Sequence, residues 1–134
     1  MDINQELNNY IQRHAADKYD WGDKDCMLFP SDWIDTYYGL NTSRGIRGQY
    51  YNRRTALVFY KNYLSVETVL RNSNFVEQED ISSVVDGDLI QTGTLEWPLI
   101  WITFNNCAYC MSEQGLIFVT FEALSDQVQK VWRR

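Results

Sequence analysis

A chain of 134 residues with 45% hydrophobic content has the size of one domain and can build a core without metal or disulfide. Its formal charge of −6 argues against a general nucleic-acid binder, because neutralising phosphates requires an excess of Lys and Arg. No apolar run reaches the roughly 18 residues of a membrane span, and the opening MDINQELNNY lacks the basic and apolar regions of an export signal, so the expectation is one cytosolic domain over 1–134 with no membrane partner.

Taken in chain order, Ile3, Leu7, Tyr10, Ile11, His14 and Ala15 recur at helical spacing, with Asp2 in the capping position and Gln5 three residues on. Gly22 predicts a turn, after which Cys26, Phe29, Trp33, Ile34 and Tyr37 predict a helix over 25–38 closed by Gly39, irregular near Pro30. Residues 40–54 hold two glycines and four arginines among polar residues and read as a loop. A helix over 55–64 follows, then another behind a Ser65 cap that carries Val66, Val69 and Leu70.

The second half changes character. Asp86-Gly87-Asp88 turns into a strand at 89–92, ended by Gly93. Strands at 99–104 and 108–111 follow, joined by an Asn105-Asn106 turn, and another at 116–121, which suits antiparallel hairpins. The tail over 122–131 reads as a short helix. Helices first and a small antiparallel sheet second define an α+β class.

Three cysteines, Cys26, Cys107 and Cys110, do not suggest a disulfide framework in a chain without an export signal. Cys107 and Cys110 have CxxC spacing, but on a strand residues three apart point to opposite faces, and the further ligands of a zinc site are missing. Neither metal nor cofactor is expected. Aromatic residues make up 15% of the chain, which fits either an aromatic core or a half-exposed contact surface. Arg44, Arg47, Arg53 and Arg54 also read two ways, as a loop pinned to carboxylates or as a site for an acidic partner.

Tyr19, Trp21, Gly22, Asp25, Cys26, Phe29 and Trp33 form an aromatic stretch, a glycine and an Asp-Cys pair opening a hydrophobic helix. This arrangement resembles the NlpC-type papain-like cysteine peptidases, which cleave peptide bonds in bacterial cell walls. The short loop between Gly22 and Asp25 is similar to that of a phage-encoded family of unknown function found near tail genes. Gly39, the Arg47-Gly48-Gln49-Tyr50 segment, Ala56, Gly87-Asp88, Gly115-Leu116 and Trp132-Arg133 extend the likeness from Tyr19 to Arg133.

The resemblance implies a minimal papain-like fold with Cys26 in the nucleophile's place, where a helix amino terminus favours a thiolate. A papain-like thiolate also needs a histidine. In the peptidases it opens the strand after the Gly-Asp strand, and here Pro98 holds that place, with bulk following at Trp101 and Phe104. The lone His14 reads as a packed residue of the first helix. Glu96 lies near the missing position, but a carboxylate disfavours a thiolate.

The expectation is therefore a bacteriophage virion or tail structural or assembly protein on a catalytically degenerate domain, with Cys26 a vestigial nucleophile. Its partners are other phage structural proteins, met through Arg44, Arg47, Tyr50, Arg53, Arg54 and Trp101, in the host cytoplasm during assembly and then in the tail. The alternative is an active cysteine hydrolase acting on cell-wall peptide, its base non-standard or supplied by a partner chain.

Overall fold

The computed structural model describes residues 2–94 and 97–134. Helices α1 (Ile3–His14), α2 (Leu28–Tyr38), α3 (Arg53–Asn62) and α4 (Val66–Asn72) come first. Strands β1 (Val76–Glu77), β2 (Leu89–Gly93), β3 (Pro98–Phe104), β4 (Cys107–Ser112) and β5 (Gly115–Thr120) follow, then the one-turn α5 (Phe121–Leu124), a 3-10 turn and β6 (Lys130–Arg133). The class is α+β, and the described strands form one antiparallel sheet in the order β1-β6-β2-β3-β4-β5. Among the described residues, no helix is long and apolar enough to cross a membrane.

The helix ends follow their caps. Asp2 accepts from Gln5 N at 2.9 Å, Ser65 Oγ accepts from Thr68 N at 3.1 Å, and Gly39 closes α2 in the left-handed region with φ +68°. Asn52 and Thr55 form a reciprocal capping box, so α3 begins two residues before the expected 55. In α2, Pro30 has no N–H to donate to the Cys26 carbonyl four residues back, which is the predicted irregularity. The turn before Leu28 is held instead by Phe29 N bonding to Asp25 O and Ser31 N to Met27 O.

The sheet carries apolar side chains on both faces. Leu89, Ile100, Ile102, Met111 and Trp132 pack with Leu7, Tyr10, Phe29, Trp33 and Ile34 of the helices. On the other face, Ile90, Trp101, Ala108 and Cys110 pack with Leu124.

The tail departs from expectation. Only α5 and the following 3-10 turn are helical, and Lys130–Arg133 is a strand inserted between β1 and β2, with Leu89 opposite Trp132. Burying Val131 and Trp132 drives this, and Arg133 locks it through two hydrogen bonds to the buried Asp88, Nε to Oδ1 at 2.9 Å and Nη2 to Oδ2 at 2.7 Å.

Asp35 organises the start of the loop after α2. Its Oδ1 accepts from Thr42 N (2.6 Å) and Oγ1 (2.7 Å), and its Oδ2 from Ser43 N (2.9 Å) and Oγ (2.6 Å). Burial pushes this carboxyl up, but the hydrogen bonds from Ser43 and Thr42 outweigh it and hold Asp35 below the ordinary carboxylate value. A depressed folded value stabilises the protein above the unfolded value of about 3.9, and that stabilisation is lost as pH falls through the folded value. Asp35→Asn should therefore cost about 1–2 kcal/mol at pH 7. In urea titrations across pH, its deficit against the parent should shrink below about pH 4; a deficit independent of pH would remove this account.

Candidate functional site

The Asp25-Cys26 pair lies where the loop after α1 meets α2. Asp25 is buried, and its carboxyl accepts four hydrogen bonds: Oδ1 from Met27 N (3.0 Å) and Leu28 N (2.9 Å), Oδ2 from Gly22 N (2.9 Å) and the Tyr50 hydroxyl (2.7 Å). The bonds to Met27 N and Leu28 N hold the turn that leads into α2, and Cys26 lies in that turn, two residues before the helix begins at Leu28. The Cys26 N–H is used as well, donating to the Tyr19 hydroxyl oxygen at 3.3 Å.

Cys26 is 7% exposed and packs in the cluster of Trp101 and Cys110, so it faces β3 and β4. It borders a cavity of about 290 Å³ whose walls include Tyr19, Trp21, Trp97, Leu99 and Trp101. A helix amino terminus lowers a thiol's pKa through free N–H groups, but here those groups are taken by Asp25 and Tyr19. Burial pushes the Cys26 thiol up to about 12, with the Asp25 charge adding to the rise and a hydrogen bond with Tyr19 opposing it. The thiol is therefore protonated at neutral pH.

Among the described residues, no imidazole borders this cavity. His14 contacts Tyr10 and Phe29 and pairs through Nδ1 with Asp17 Oδ2 at 2.5 Å. Pro98 opens β3, as expected from sequence, but it lines a different cavity with residues of α3 and α4, while its neighbour Leu99 lines the one at Cys26. Glu96 lies outside the described residues. A sequence model for a domain of unknown function, DUF6950, matches residues 1–134. The chain belongs to the DUF6950 family. No curated protein matches the sequence.

The DUF6950 chain distributes its expected contact residues unevenly. Arg44, Arg53 and Arg54 are exposed, and Arg53 reaches the rim of the Cys26 cavity. Arg47 is engaged within the molecule, bonding Asp32 through Nη1 (3.2 Å) and Nη2 (2.7 Å), Asp23 Oδ1 through Nε (3.2 Å) and Asp23 O through Nη2 (3.0 Å). Tyr50 and Trp101 are buried, which corrects the expectation that they lie on a contact surface. Tyr50 points inward to Asp25 and Tyr60, and the Trp101 indole donates to Thr92 Oγ1 at 2.8 Å. Among the described residues, the exposed aromatics are Tyr51, Tyr63 and Phe118, which sequence spacing did not single out. Gln91 and Cys110, also unforeseen, line the two cavities from β2 and β4.

Two measurements check this geometry. With a thiol near 12, about one Cys26 in 10⁵ is ionised at pH 7. Iodoacetamide should therefore modify the half-buried Cys107 first and leave Cys26 untouched until the protein unfolds, as read by peptide mass spectrometry; early labelling of Cys26 would contradict the buried, protonated thiol. Pro98→His should leave that order unchanged, because residue 98 opens on the other cavity. Asp25→Ala strands the partners of four hydrogen bonds and should lower unfolding free energy by about 3 kcal/mol or more, measured by denaturant titration.

Proposed function

We propose that this DUF6950 protein is a structural or assembly component of a bacteriophage particle, in the tail, built on an NlpC-like domain whose catalytic centre has degenerated. One observation carries the reading. An Asp-Cys pair stands in the turn just before a helix that packs on the sheet, much as in the peptidases it resembles, yet the thiol is protonated and buried, with no imidazole beside it among the described residues. A hydrolase of this type loses most of its rate enhancement when one member of its catalytic unit is missing.

Contact with other proteins is then the activity. The exposed Tyr63 (77%), Val58 (48%) and Arg54 border a groove of about 600 Å³ along α3. Tyr51 (76% exposed) lies just before that helix. Aromatic residues and arginine dominate binding hot spots, and Arg44, Arg53 and Arg54 suit an acidic neighbour.

Mass spectrometry of purified particles of the encoding phage tests the proposal. The protein should be present, Cys26→Ala should leave infectivity unchanged, and Tyr63→Ala with Arg54→Ala should reduce incorporation, each truncation costing about 2 kcal/mol of association. Absence from particles would refute the virion role. Cleavage of cell-wall peptide by the parent but not by folded Cys26→Ala would establish the hydrolase instead.

A further inference from the structure

The cavity that Pro98 lines has a volume of about 640 Å³, within the usual size of small-molecule sites. It lies between α3, α4 and the β2–β3 pair, and its walls include Leu57, Lys61, Val66, Glu67, Gln91 and Pro98. Gln91 sits in the middle of β2 and is 3% exposed. Its Oε1 accepts a hydrogen bond from Trp132 Nε1 at 3.0 Å. An indole nitrogen can only donate, so this bond fixes which way the amide is turned. The Nε2 end carries two N–H donors and has no protein acceptor among the described residues. These N–H groups belong to a residue that lines the cavity and are open to it, so an acceptor on a ligand can take the place of water there.

The charge around the cavity narrows the choice. Glu67 is neutralised by Lys130, Nζ to Oε1 at 2.5 Å, whereas Lys61 is exposed and has no ion pair among the described residues. The uncompensated charge at the mouth is therefore positive. Leu57, Val66 and Pro98 supply an apolar wall.

We propose that this cavity binds a small organic carboxylate. Its oxygen accepts from Gln91 Nε2, Lys61 supplies the counter-charge, and its aliphatic or aromatic body lies against Leu57, Val66 and Pro98. The site is separate from the cavity at Cys26 and does not depend on a virion role.

The test is a titration of the ¹⁵N-labelled protein with hexanoate and phenylacetate, and with hexanamide and phenylacetamide as uncharged counterparts, following the Gln91 side-chain amide resonance by NMR. Both carboxylates should shift that resonance saturably, and the amides should bind roughly tenfold more weakly or not at all. Lys61→Gln, a change at an exposed position, should weaken carboxylate binding about three- to tenfold. Gln91→Glu keeps an acceptor for Trp132, removes the donor and should abolish binding. An unmoved Gln91 resonance would mean that the cavity holds only water, and the proposal would fall. Equal binding of acids and amides, or binding indifferent to Lys61→Gln, would refute the carboxylate assignment.

Discussion

The buried carboxyl of Asp25 is the interaction on which the helical half depends. Its four hydrogen bonds join the turn at Gly22, the start of α2 and the Tyr50 segment, three stretches with no backbone ladder between them. The junction dictates its neighbours. Gly22 has φ +82°, and a Cβ there would lie 2.1 Å from the Tyr50 carbonyl oxygen, so only glycine lets the two segments meet. Gly48 N donates to Gly22 O at 2.9 Å in the same junction. Outside it, Arg47 ties Asp23 to Asp32. Tyr50 then passes the order on to α3 by its hydrogen bond with Tyr60 at 2.7 Å.

The same carboxyl shapes the chemistry beside it. A helix amino terminus is worth at most about 2 kcal/mol to a neighbouring negative charge, and that benefit comes from N–H groups that point at the charge. Asp25 occupies two of them and adds a negative charge of its own next to the thiol. Burial works against the thiolate with greater force, which is why the balance leaves Cys26 near 12. The Asp25 carboxyl serves here to fasten the turn that starts a helix. The N–H groups of Cys26, Met27 and Leu28 are taken by Tyr19 and Asp25, and none of them is left to stabilise a charge on the sulfur.

How much of this the sequence reveals depends on the range of the interaction. Local signals are legible: the Asp2 and Ser65 caps, the Gly39 stop, the Pro30 irregularity and the hairpin at Asn105-Asn106, whose two asparagines take positive φ. The last strand is not. Lys130–Arg133 is four residues long and finds its partners in Leu89–Gln91 and Val76–Glu77, far back in the chain, so no local pattern announces it. Tyr50 and Trp101 were expected at the surface because composition cannot show where an aromatic's polar atom finds a partner. Asp25 and Thr92 provide those partners 25 and 9 residues away. Gln91 escapes notice for the same reason, as its fixed amide depends on Trp132, 41 residues later.

Strand parity explains why the two cavities remain distinct. Successive residues of β3 point to opposite faces of the sheet, and the pairing of Gln91 with Ile100 sets Gln91, Pro98 and Ile100 on the helix-covered face. Leu99 and Trp101 therefore fall on the other face, where Ile90 pairs with Trp101 and where Cys26 makes its contacts. Moving residue 98 toward the thiol would need a one-residue slip of β3. That slip would turn Ile100 and Ile102 out of the main core and Trp101 into it. The core holds the register, and the register assigns a thiol lined by indoles to one cavity and the Gln91 amide, with the exposed Lys61, to the other.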